Sequence, residues 1–210
     1  MFHPHGVGFA ATLEPMPEVQ TGAELFDRGE PAAAVVRMSR SAGLPESLPD
    51  PCGLAFRVPD AYGRGRHQDF LLVTSGYAPV ARHLLLPSGG FADRSYSSLL
   101  PYRVGGEHLL VGAEPLDATE GLTLAELRER EYGDLTFALT LATPTGPWQR
   151  VARLRLEERL PPAATERLRL SSAHSGGGLE PATFLNALRP AAYRGSQAGR
   201  ASAEGAHGRL

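Results

Sequence analysis

The chain has 210 residues, 42% hydrophobic and 21% charged, the make-up of a soluble globular protein with enough apolar material for one full core. A formal net charge of −2 gives no general case for nucleic acid or an anionic membrane as partner, and no apolar run approaches the roughly 18 residues of a spanning helix. The single cysteine, Cys52, excludes an intramolecular disulfide, a cysteine-based zinc site and CxxC redox chemistry.

The N-terminus lacks the basic-then-apolar layout of a signal peptide, and a cytoplasmic protein is expected. Residues 2–13 turn from the Gly/Pro-rich start His3-Pro-His-Gly-Val-Gly8 into a strand. Residues 14–31 read as a loop with a helical turn around Ala23–Phe26, and the β-branched run Ala32–Arg40 as a strand. Gly53–Val58 and the nearly continuous apolar Gln68–Ser75 are the next strands, the latter buried on both faces as in a barrel wall. His83–Leu86 and Leu109–Val111 are shorter strand candidates. Thr123-Leu-Ala-Glu126 has the form of a capping box, with Leu122 and Leu127 as its staple, and predicts a helix from about Leu124 to Glu131. Leu135–Leu141 and Gln149–Glu157 alternate with period two around a Pro/Gly turn and predict an antiparallel hairpin. Pro181 suits the first turn of a last helix. The pattern is α+β: an antiparallel barrel over residues 1–200 as a single domain, closed by a C-terminal helix, with 201–210 as a disordered tail.

All 21 basic residues are arginine, so every cationic site must be an arginine site. On a helix, Arg189 and Tyr193 lie one turn apart on one face, and Arg200, eleven residues after Arg189, returns nearly to it. An arginine beside a phenol favours the phenolate, which is a haem-iron ligand; equally, the stretch reads as an ordinary surface helix. Alternation puts Arg37 and Ser39 on one face of their strand. A strand-centre arginine among Ala and Val needs an anion, either a structural carboxylate or one belonging to a ligand. His3, beside flexible glycines, suits acid/base or metal-ligand work.

Taken in order, these features resemble the haem-dependent catalase superfamily. His3, Gly6 and Gly8 match its His-x-x-Gly-x-Gly strand start, and Val35-Val-Arg-Met-Ser39 matches its Val-x-Arg-Phe-Ser strand. Asp50-Pro-Cys-Gly-Leu-Ala55 matches its Asp-Pro-x-Gly-x-Ala turn without the leading arginine, and Arg189, Tyr193 and Arg200 match its closing helix. The resemblance implies a catalase-like barrel holding haem b. Tyr193 would be the metal ligand, Arg189 would hold it ionised, and Arg37 and Arg200 would pair with propionates. His3 would be the distal acid/base, oriented by Ser39, with Thr74 where catalases carry an asparagine. The arginine that the pattern places three residues before the distal histidine would precede Met1, and the upstream reading frame is expected to encode it.

At this length the chain resembles the small catalase-related haem proteins, whose reactions include peroxidation and hydroperoxide rearrangement. The implied partners are haem and a peroxide or small hydroperoxide, with no nucleic acid and no membrane span; a homo-oligomer is compatible. Two other readings stand beside this one. The barrel could bind haem without peroxide chemistry, or His3-Pro-His5 could be a metal pair of a phosphodiesterase-like hydrolase, which would need further ligands at strand ends.

Overall fold

A computed structural model describes residues 6–16, 18–45, 48–116 and 122–182. Among these, eight strands close into an antiparallel barrel. Strands β1 (Gly6–Pro15), β2 (Ala32–Arg40), β3 (Cys52–Val58), β4 (Gln68–Thr74) and β5 (Tyr96–Ser97) pair in succession. Strand β6 (Tyr102–Val104) stands outside the ring, paired to one end of β7 (Glu107–Pro115). Strand β7 also joins β5 to β8 (Thr136–Ala142), and β9 (Gln149–Arg159) pairs with β8 and β1 to close the circle. A short β10 (Leu179–Pro181) lies against β6. The helices are short: α1 (Glu24–Asp27), α2 (Leu124–Glu129) and α3 (Pro162–Arg167).

The barrel interior is filled by side chains. Phe9, Val36, Phe56 and Phe70 form one register row across β1 to β4, and Val7, Met38, Leu54 and Leu72 form the next. All eight belong to the buried core. Phe56 and Phe70 stack with centroids 4.5 Å apart, and Tyr96 meets Phe137 edge-on at 5.8 Å. Each such ring contributes about 1.5–3 kcal/mol by leaving water.

The capping box forms as the sequence predicts. Glu126 N donates to Thr123 Oγ1 at 3.2 Å, and Thr123 N donates to Glu126 Oε2 at 2.7 Å. Leu122 and Leu127 are both buried. Helix α2 stops at Glu129, two residues short of the predicted end.

Two local expectations are corrected. His83–Leu86 is not a strand: Ala81–His83 forms a 3₁₀ turn, and only Leu85 bridges, to Ser75. Arg82 holds that turn. It is 2% exposed, donates through Nη1 to the Thr143 and Gly146 carbonyls at 2.9 and 2.8 Å, and lies 4.5 Å from the Trp148 ring. Pro181 does not open a helix but ends β10 opposite Tyr102; a proline is tolerated there because β10 is an edge strand.

Before β10 the chain makes a crossing with no room for side chains. Gly177 (φ +56°) and Gly178 (φ +80°) are left-handed, and a Cβ on Gly177 would sit 2.2 Å from the Tyr62 ring. Gly177→Ala is expected to cost about 3 kcal/mol, from backbone strain and overpacking together. A urea unfolding curve with a matching drop in midpoint is the measurement that checks it.

Candidate functional site

The outer face of β1 to β4 gathers the residues that the sequence singled out. One register row is Gly6, Ser39, Gly53 and Val73; the next is Gly8, Arg37, Ala55 and Leu71. The third is Ala10, Val35, Arg57 and Asp69. These rows alternate with the core rows, so their side chains point away from the barrel interior. At ordinary strand and residue spacings the patch measures about 14 Å by 13 Å.

Its floor is flat because five of the twelve positions carry nothing beyond Cβ: Gly6, Gly8, Gly53, Ala10 and Ala55. Arg37 uses that space. A Cβ on Gly6 would lie 2.8 Å from the Arg37 guanidinium carbon, so the side chain folds over this glycine. Arg37 and Ser39 are each only 6% exposed. The Arg37 pKa is lowered, first by burial and then by the nearby charge of Arg169. The charge of Arg169 is thus felt at Arg37.

A covering segment crosses this wall. A Cβ on Gly8 would lie 2.5 Å from Thr165 Oγ1, which places α3 over β1. Past α3, the segment is fastened to Asp69, a fully buried carboxylate on the outer face of β4. Arg57 grips Asp69 with both Nε and Nη2 at 2.7 Å and donates from Nη2 to the Arg169 carbonyl at 2.7 Å. Ser171 N donates to Asp69 Oδ2 at 2.8 Å, and Asp69 N donates to the His174 carbonyl at 2.9 Å. His174 Nδ1 lies 2.9 Å from Asp69 Oδ2 and 2.8 Å from Arg57 Nη2. The hydrogen bond to Asp69 raises the Arg57 pKa.

Thr74 is not brought to this wall. It shares the inward parity of Phe70 and Leu72, and its hydroxyl accepts from Cys52 N at 3.0 Å and donates to the Leu86 carbonyl at 2.6 Å. The β4 residue in the row of Ser39 is Val73. His3, Arg189, Tyr193 and Arg200 lie outside the described residues, as does His5. Among the described residues no three His, Cys, Asp or Glu side chains converge as metal ligands, and no helix is long and apolar enough to cross a membrane.

No protein-family model matches the chain, and no curated protein matches it significantly. Whatever can be said of its chemistry rests on the residues themselves.

The Asp50-Pro-Cys turn serves structure. Asp50 is fully buried, accepts from Ala42 N and Leu44 N at 2.8 and 2.9 Å, and lies 3.5 Å from Arg40 Nε. Cys52 borders a cavity of about 240 Å³ together with Arg40, Ser88, Phe91 and Leu124. Burial pushes its thiol up to about 12.

The Asp69 cluster escaped sequence reasoning because its partners are far apart in the chain. The available signal was an acid inside an otherwise apolar strand, which must find a cation if buried.

Asp69→Asn leaves Arg57 without its counter-charge and is expected to cost about 3 kcal/mol. Trypsin should then cut after Arg167 or Arg169 faster than in the parent chain, and unchanged cleavage would mean that Asp69 does not hold the segment. A second outcome concerns pH. Cys52 ionises near 9.0 when unfolded but near 12 when folded, and burial raises Tyr62 and Tyr96 likewise. The unfolded chain therefore loses protons first, and stability should fall as pH rises from 9 towards 12. Thermal melts across that window check the sign, and Cys52→Ala should flatten part of the slope.

Proposed function

We propose that the chain is a catalase-like haem b protein that reacts with hydrogen peroxide or an organic hydroperoxide, with the ligand lying against the outer wall of β1 to β4. One observation carries this reading. Residues picked from three separate sequence motifs become direct neighbours: Gly6 with Ser39 and Gly53, and Gly8 with Arg37 and Ala55.

The carboxylate end of haem calls for a guanidinium, and Arg37 is one on this wall. Arg37 is a nearly buried guanidinium over a glycine cradle, and such a fork suits a carboxylate held in two hydrogen bonds. On this reading Arg37 and Arg200 hold the propionates, Tyr193 is the proximal ligand and Arg189 keeps it anionic. Ser39 orients His3, which moves a proton between peroxide oxygens. Bound haem supplies the redox chemistry at its iron; the chain supplies position, charge and the proton.

A second reading, haem binding without peroxide turnover, is favoured by Val73. An isopropyl group in the row of Ser39 offers no hydrogen bond to a peroxide, and the nearby Thr74 hydroxyl is committed on the inner face.

Expressed with haem supply, the protein should be red-brown, with a Soret band of ferric-phenolate type that Tyr193→Phe removes or sharply weakens. A colourless protein that takes up no hemin would end both readings. They separate on consumption of hydrogen peroxide and cumene hydroperoxide: a loss of turnover in His3→Ala with the Soret band retained supports the first, and turnover no better than free hemin supports the second.

A further inference from the structure

We infer that the end of the barrel carrying the 3₁₀ turn Ala81–His83 is an interface with a second copy of this chain, related by a two-fold axis.

Three loops make that end: residues 76–86, 97–101 and 143–148. They are tied to one another. Arg82 Nη1 joins the first to the Thr143 and Gly146 carbonyls, and Trp148 Nε1 donates to the Tyr77 carbonyl at 3.0 Å. The His83 ring lies between the other two loops, with Nδ1 3.2 Å from the Leu99 carbonyl oxygen and Nε2 3.4 Å from that of Pro144. A surface held in this way loses little freedom when it is covered.

The loops present an apolar face. Among the described residues eight large apolar side chains are exposed, and four of them, Tyr77, Val80, Leu84 and Leu85, belong to the first loop. Val80, at 77%, is the most exposed of the eight. Leu99, half-buried in the second loop, is held at φ +58°. Glycine or asparagine would adopt that conformation with less strain, so the backbone bears a cost to keep a leucine there.

Charge selects the occupant. The three loops hold no aspartate or glutamate, and their single arginine is buried, which leaves His83 as their exposed ionisable group near neutral pH. A strongly charged partner, such as a nucleic acid or an anionic bilayer, finds little to pair with here. A two-fold interface sets each face against its own copy, where net charge would repel itself, and this face has almost none. Charge returns just outside, where Arg150 pairs with Glu114 at 3.0 Å, as at the polar rim of an interface. About twenty residues of the loops are exposed or half-buried, the size of one side of a standard interface.

Sedimentation velocity on the full chain, from micromolar concentration upwards, is the test. The parent chain should run as a dimer. Val80→Asp should weaken association about hundredfold, because the two-fold axis buries the new carboxylate twice. Leu84→Asp should act in the same direction. Both side chains are more than half exposed, so the circular dichroism and melting midpoint of each variant should match the parent. Tyr132→Asp, also half exposed but at the other end of β9, should dimerise like the parent. A dimer unaffected by either loop variant, or lost equally in Tyr132→Asp, would overturn the inference. So would a parent chain that stays monomeric at every concentration. The face would then belong to another occupant, such as the chain beyond Ala182, whose amide donates to the Pro101 carbonyl at 3.1 Å.

Discussion

A carboxylate without water has to be given its counter-charge and hydrogen bonds by the chain, and the arrangement around Asp69 follows from that requirement. Asp69 lies on the outer face of β4, where a barrel normally meets solvent. It is dry because the segment after α3 lies on it, and that segment stays there because Asp69 and Arg57 hold its backbone. The same fastening sends the chain towards Gly177, Gly178 and the edge strand β10.

The barrel has two faces with separate duties. Aromatic and branched side chains fill the interior from β1 round to β9. The outer wall of β1 to β4 is the reverse, poor in bulk and supplied with cations.

Much of this was legible in the sequence, wherever the signal was local. Strand β2 reads at its true limits from its β-branched centre, α2 from its capping box, and the β8–β9 hairpin from period-two alternation. Strand β5, with two residues, is defined by partners distant in the chain and carries no pattern of its own, whereas β6 joins β7 through the two-residue turn Gly105-Gly106, a local hairpin signal. The shared face of Arg37 and Ser39 follows from alternation within one strand. The place of Thr74 depends on the register between strands, which the sequence does not show: the row of Ser39 passes through Gly53 to Val73, one residue away and on the opposite side. The Arg57–Asp69 pair was illegible for a similar reason, since neither residue announces the other. The distal and proximal residues of the motif, His3 and Tyr193 among them, fall outside the described part of the chain.

The interleaving of core rows and wall rows has a consequence for how this protein can change. Phe9, Val36, Phe56 and Phe70 interdigitate between the same strands that carry Gly8, Arg37, Ala55 and Leu71. A slip of one residue would turn Arg37 into the interior and Met38 out to the wall. Even a smaller core substitution that alters the curvature of β2 against β3 would tilt the arginine relative to its glycine cradle. Core packing and the placement of the wall residues are therefore not separately adjustable in this barrel: a change in either one is felt by the other through the thickness of a single sheet.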